Sequence, residues 1–242
     1  MKKRKSVRVI CIFSNWMMQL QFHKFPILIF VSLICLSCSK KIWQGRSNDH
    51  KKWLKAFPTL EKAKGIEYIN TQIRVFDMKK HETVADVGGY DGTYLSLYSL
   101  YTDSVNYIVE DVDSGGFRNL PFFVKHFESL KGTPNTNTYK TVLGEYTRTN
   151  LRSSSCDKIL IIEAFHHFSD PVSMLTDIKQ ALKKDGILFI EEPIAERTKL
   201  KGSEPRYCRS DFLGLLQTNG FKLVYEEKSR GRFIIFKFVK AN

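Results

Sequence analysis

The chain has 242 residues, 43% of them hydrophobic and 13% aromatic. That supplies one substantial core and excludes an intrinsically disordered polypeptide. The net charge of +13 points to nucleic acid only until it is located: residues 1–55 hold 12 Lys and Arg against one acid, Asp49, which leaves 26 basic and 24 acidic residues for 56–242. A balance of +2 gives the body of the chain no field for a polyanion, so a small molecule is the expected partner rather than nucleic acid.

At the N-terminus, Lys2 to Arg8 is basic and Pro26 to Cys38 is a 13-residue, mostly apolar run. It is too short to span a bilayer as a helix and has the length of a signal-peptide core. Its end, Leu36-Ser37-Cys38-Ser39-Lys40-Lys41, resembles a bacterial lipoprotein signal, with Cys35 and Leu36 departing from the usual residues. That resemblance implies a leader over 1–38, lipidation of Cys38, and a membrane-anchored protein facing the periplasm or the surface. A cytoplasmic chain stays open as the alternative, as does translation from Met17 or Met18, which would give a shorter leader with Lys24 as its charge. Residues 39–72 then form a polar tether and an N-terminal cap, in which the stretch up to Arg74 is expected to lie as a helix over the mouth of a ligand pocket.

The domain proper is expected over 73–242. Thr83-Val84-Ala85-Asp86-Val87 reads as a short apolar strand, and Gly88-Gly89-Tyr90-Asp91-Gly92 as a tight turn into a helix. Such a turn lets a ligand approach bare backbone at the entrance of a helix. The dinucleotide fingerprint G-x-G-x-x-G is absent, which disfavours a nicotinamide-dependent oxidoreductase. Asp86, Gly88 and Gly92 instead resemble the first motif of class I S-adenosylmethionine-dependent methyltransferases, written Asp-x-Gly-x-Gly-x-Gly. Tyr90 stands where that family has its middle glycine, with Gly89 one place earlier, so a side chain there would crowd the cofactor or lie across it.

Tyr107 to Asp111 reads as a second strand ending in acids about 20 residues after the turn, where α/β nucleotide sites hold ribose hydroxyls. Glu110 and Asp111 are the candidates; Asp111 is favoured because Asp111-Val112-Asp113 resembles the family's step off the strand. Tyr139 to Gly144 is the third strand, and the resemblance implies that Glu145 after it meets the adenine amine. Cys156 to Ile162 is a buried-type strand. Its exit, Glu163-Ala164-Phe165-His166-His167-Phe168-Ser169-Asp170-Pro171, has the His-His-aromatic and Asp-Pro form of the family's fourth strand.

Apolar spacing predicts a helix over 172–182, followed by a turn at Lys183-Lys184-Asp185-Gly186 and a fifth strand over 187–193. A helix from Asp211 stops at Gly220. Strands over 222–226 and 232–239 close a hairpin around Lys228-Ser229-Arg230-Gly231. The fold expected is α/β: a Rossmann-like, doubly wound, mostly parallel seven-stranded sheet with an antiparallel C-terminal hairpin strand.

The five cysteines show no C-x-x-C pair, and the adjacent histidines lack zinc spacing, so no metal site is expected. Cys11, Cys35 and Cys38 lie in the leader. Cys156 and Cys208 are expected as thiols, a disulfide between them being the less favoured state. Adjacent histidines point different ways, so at most one faces a pocket.

The resemblance implies S-adenosylmethionine as cofactor, methyl transfer to an unidentified acceptor, and cofactor contacts from Asp86, Gly88, Gly89, Tyr90, Gly92, Glu110, Asp111 and Glu145. A base is needed only where the acceptor must lose a proton; His166 or His167 is the first candidate and Glu163 the next. An exported domain would meet little of a cofactor made in the cytosol. The rival reading is therefore a non-catalytic, membrane-tethered nucleotide- or metabolite-binding lipoprotein with this fold.

Overall fold

The computed structural model describes residues 54–195 and 207–241. The leader over 1–38, Cys38 and most of the tether lie outside the described residues, as does most of the connection between Ala195 and Arg209. In chain order the described elements are α1 (Leu60–Lys64), α2 (Glu67–Phe76), β1 (Thr83–Val87), α3 (Thr93–Tyr98), β2 (Asn106–Asp111), α4 (Leu120–Lys131), β3 (Thr138–Leu143), β4 (Cys156–Ile162), α5 (Pro171–Ala181), β5 (Leu182–Pro193), α6 (Arg209–Thr218), β6 (Phe221–Arg230) and β7 (Phe233–Lys240). Single 3₁₀ turns precede α4, at Phe117–Asn119, and α5, at Phe165–His167.

The seven strands form one sheet in the order β3-β2-β1-β4-β5-β7-β6. The pairs β1–β2, β2–β3, β1–β4 and β4–β5 are parallel, and β7 is antiparallel to β5 and β6. Alternation along each strand sends side chains to opposite faces. Val84, Leu160 and Phe189 join Ile69, Phe76, Leu95, Tyr98, Phe123 and Phe127 in one core, so α2, α3 and α4 cover that face. Ala85, Ile159, Ile161, Leu188 and Ile190 join Met174, Leu175, Ile178, Phe212 and Leu216 in a second core under α5 and α6. This is the doubly wound, Rossmann-like sheet expected. Strand order reverses between β1 and β4, and the crevice beyond their carboxyl ends is where such sheets bind ligands.

Two connections differ from the sequence reading. The turn at Lys183–Gly186 is a bulge within β5: Cys156 pairs with Leu182 and Lys158 with Ile187, and Lys183, Lys184 and Asp185 between them are exposed. The hairpin turn is Gly231-Arg232, because Lys228 pairs with Ile234 and Arg230 with Phe233 across a register shift that takes up Ser229. Ser229 Oγ donates inward to Glu191 of β5, which holds that bulge in place. The N-terminal cap is part of the same body as the sheet, since α2 runs through residue 73 and buries Ile69, Gln72, Val75 and Phe76.

A buried polar network ties the cap down. Gln72 Nε2 donates to Glu191 Oε2, and Tyr98 OH donates to Gln72 Oε1 at 2.8 Å. Cys156 and Cys208 are both buried free thiols, and burial raises the pKa of Cys156. Among the described residues no helix is long and apolar enough to cross a membrane, and no cluster of His, Cys, Asp and Glu could hold a metal ion.

Candidate active site

The turn after β1 is built from backbone that side chains would obstruct. Gly88 takes φ 79° and Gly92 φ 71°, the left-handed region that favours glycine. A Cβ at Gly88 would fall 2.5 Å from the Ala164 Cβ, so β1 and the exit of β4 meet there without room for a methyl group. Gly88 and Gly89 both donate their N–H to the Glu110 carbonyl at 2.9 Å, which locks the turn onto β2. Asp91 Oδ1 accepts from Thr93 N at 3.1 Å and from Thr93 Oγ1 at 2.6 Å, capping the start of α3.

Tyr90 lies between Asp111 and Gly116. Its backbone takes φ 44°, and its N–H donates to Asp111 Oδ2 at 2.9 Å. Its ring lies against Gly116 in the connection from β2 to α4. The Tyr90 side chain, expected to crowd the cofactor or lie across it, thus packs on the connection from β2 to α4. The other Asp111 oxygen, Oδ1, accepts from Asp113 N at 2.8 Å. Each carboxylate oxygen has a second lone pair, so Asp111 is oriented by the backbone yet can still accept from a diol.

A cavity of about 220 Å³ opens beyond the ends of β1, β2 and β4, lined by residues that include Gly88, Glu110, Asp111, Val112, Glu145 and His167. Tyr146, Phe168 and Met174 complete apolar walls of the kind a flat aromatic ring packs against. Of the eight expected cofactor contacts, Gly88, Glu110, Asp111 and Glu145 line this space. Gly89 and Gly92 shape the turn from behind, and Asp86 lies beneath it, with its Oδ2 2.9 Å from where a Gly89 Cβ would be. Glu145 sits at the exposed rim, where Arg148 Nη2 donates to its Oε1 at 2.6 Å and lowers its pKa.

Three acids converge here, and burial raises the pKa of each. Asp86 is 2% exposed; burial, then the neighbouring Asp111 and Asp91, pushes its pKa from 3.8 up to about 8. Glu110 is pushed from 4.5 up to about 8, again by burial first and then by Asp111. Asp111 is also raised by burial, but the N–H groups of Asp113 and Tyr90 oppose the shift. A cluster of like charges under low dielectric keeps protons on its deepest members.

The candidate bases are divided between two places. Glu192 is 2% exposed, and its Oε1 accepts from Phe165 N at 2.7 Å and from His166 N at 3.4 Å. Its Oε2 lies 2.7 Å from His166 Nδ1. A carboxylate can only accept, so Nδ1 carries the proton and Nε2 is the basic nitrogen of the neutral ring. His167 lines the cavity, and its ring centre lies 4.0 Å from that of His166. Glu163, at φ 57°, takes hydrogen bonds from Tyr94 OH at 2.9 Å and from the Arg230 guanidinium. Arg230 stacks on Tyr68 of α2, 4.1 Å from the ring centre, which joins the cap to the hairpin and to Glu163. Glu192, Tyr94 and Arg230 were not foreseen from sequence. Glu192 carried a signal in hindsight, as an acid at the end of the strand adjacent to β4.

A family model described as a methyltransferase domain matches residues 123–190, from inside α4 to inside β5. The glycine turn lies outside that match. An S-adenosylmethionine-dependent methyltransferase from Aquifex aeolicus superposes with a TM-score of 0.58 at 19% identity, over 77% of this chain and 96% of that one. One from Methanosarcina mazei does so with a TM-score of 0.56 at 11% identity, over 70% and 97%. The 4+2 cyclase SpnF gives 0.57 at 13% identity, over 72% and 80%. No curated protein matches the sequence. At these identities the likeness is one of fold: the chain has the sheet and topology of these enzymes.

Proposed function

We propose that the chain transfers a methyl group from S-adenosylmethionine to a small-molecule acceptor. The observation that carries this reading is the join between the glycine turn and the second strand, where Tyr90 N–H meets Asp111 at the edge of the cavity. The residues present fit the cofactor: a turn without side chains at Gly88, a half-buried acid for vicinal hydroxyls, and apolar walls for a base. When bound, S-adenosylmethionine supplies a methyl group on a sulfonium, activated for in-line displacement. The chain's own contribution is then to position, to exclude water and, where the acceptor holds a proton, to remove it.

In this reading Gly88 lets the cofactor approach the turn, Asp111 takes the ribose hydroxyls, and Val112, Tyr146 and Phe168 enclose the base. Glu145 lies at the rim in reach of an exocyclic amine. The histidine pair is the candidate base: Glu192 fixes the tautomer and orientation of His166, and His167 is the one that lines the cavity. Glu163 is held by Arg230 and Tyr94, which suits it to shaping the acceptor end of the crevice. The test is retention of methyl-labelled S-adenosylmethionine by the purified full chain. The label is expected to be displaced by S-adenosylhomocysteine and not by a nicotinamide dinucleotide; the reverse would defeat the reading. A tethered binder without catalysis would hold the label yet release no S-adenosylhomocysteine with any acceptor supplied.

The leader enters the same proposal from sequence alone. Residues 1–38 act as a lipoprotein-type signal and Cys38 carries the lipid, which holds the domain at a membrane face. Incorporation of labelled fatty acid that disappears in Cys38→Ala would support this, and an unlabelled wild-type chain would refute it.

A further inference from the structure

A second cavity, of about 670 Å³, opens where the hairpin of β6 and β7 meets the end of β5 and the first residue of α6. It shares no lining residue with the first cavity. Backbone bonds hold its frame: Ile194 N donates to the Arg232 carbonyl at 3.2 Å, and Ala195 N to the Tyr207 carbonyl at 3.1 Å. Ile194, Ala195 and Ile234, all half-buried, give it an apolar lining. The charges on its walls do not cancel. Both acids are already neutralised, Glu226 by Arg209 at 2.7 Å and Glu227 by Arg74 of α2. Lys228 and Arg232 also line the cavity, are exposed, and have no ion-pair partner among the described residues. Two like charges on one cavity repel each other, and a bound anion of matching charge relieves that repulsion.

We propose that this cavity is a second ligand site and that it takes a phosphate monoester, with the phosphate between Lys228 and Arg232 and the apolar body against Ile194 and Ile234. A phosphate monoester carries a charge of about −1.5 to −2 at neutral pH, and its oxygens accept hydrogen bonds. The Lys228 ammonium and the Arg232 guanidinium only donate, so charge and hydrogen-bonding sense both match. A carboxylate would neutralise one of the two cations and leave the other. The volume and the mixture of apolar lining with a few convergent polar groups are those of a small-molecule site. The site stands apart from the adenosyl cavity and holds whatever reaction takes place there. The hairpin nevertheless serves both places, since it also supplies Arg230 to Glu163, the neighbour of Ala164 in the first cavity.

The test is an amide-resolved NMR titration of the full chain with phenyl phosphate at about pH 7.5, where the probe is a dianion, alongside benzoate and benzylamine. Phenyl phosphate should shift the amides of Ile194, Ala195, Gly231 and Arg232 saturably and leave Gly88, Asp111 and Val112 unmoved. Benzoate should bind several-fold more weakly, and benzylamine should leave these amides unmoved. Combining Lys228→Gln with Arg232→Gln should weaken phenyl phosphate at least about tenfold, because two charge-assisted hydrogen bonds are lost. That variant should unfold at no lower a temperature than wild type, since both side chains are exposed and lack ion-pair partners among the described residues. No saturable shift at these amides in the folded chain, benzoate or benzylamine binding as tightly as phenyl phosphate, undiminished affinity in the double variant, or shifts centred on Gly88 and Asp111 would each overturn the proposal.

Discussion

Gly88 combines a left-handed backbone with a contact that a side chain would occupy, 2.5 Å from the Ala164 Cβ. Gly88→Val is therefore expected to lower stability by about 1–3 kcal/mol through backbone strain and overpacking, and to abolish cofactor binding. Denaturant unfolding and calorimetry measure the two effects separately. Asp86 gives a different signature. Its pKa is raised to about 8, so the folded chain holds a proton that the unfolded chain has released. Stability then falls as pH rises from about 4 to about 8 and levels off above, since the native state binds more protons in that window. Asp86→Asn should flatten part of this slope and raise the melting temperature at pH 8, by roughly 2–4 °C for each kcal/mol recovered. An unchanged slope in Asp86→Asn would show that Asp86 is ionised in the native state across that window. Asp86, Gly88 and Asp111 were legible in the sequence because residue type and spacing along one βαβ unit dictate their places. The pairing of His166 with Glu192 was not, because the register of β4 against β5 brings together residues far apart in the chain.

Among the elements, α5 shows how local chemistry sets a boundary that function then uses. Asp170 Oδ1 accepts from Ser173 N at 3.0 Å, and Pro171 occupies the first turn, where its missing N–H costs nothing. Asp170→Ala should cost about 1 kcal/mol in unfolding free energy, with cofactor affinity preserved. Beyond its apolar contacts, the cap helix α2 is tied to the sheet by a buried polar contact, Gln72 to Glu191, which Ser229 completes from the other side. Gln72→Ala would leave Glu191 short of a donor and Tyr98 OH short of an acceptor, and should destabilise the chain by about 1–3 kcal/mol in denaturant unfolding. Helix and strand positions followed from apolar periodicity. The bulges at Lys183–Gly186 and Ser229 did not, because a bulge depends on which partner strand the residues face, and periodicity within one segment is silent about that.

At the scale of the whole molecule, the doubly wound sheet explains why residues from β1, β2, the segment after β3 and the exit of β4 share one crevice: parallel strands end on the same side, and the order reverses between β1 and β4. The alternation of Val84 with Ala85 and of Phe189 with Leu188 was visible as continuous apolar strands, the mark of a sheet covered on both faces. The acceptor was not visible, because substrate choice is set by sites grafted on a fold rather than by the fold itself. The central claim is that this crevice binds an adenosyl cofactor. Calorimetric titration of the full chain with S-adenosylhomocysteine tests it most directly. The account predicts one saturable site, lost in Gly88→Val and retained in Asp170→Ala; a folded wild-type chain that takes up no S-adenosylhomocysteine would contradict it.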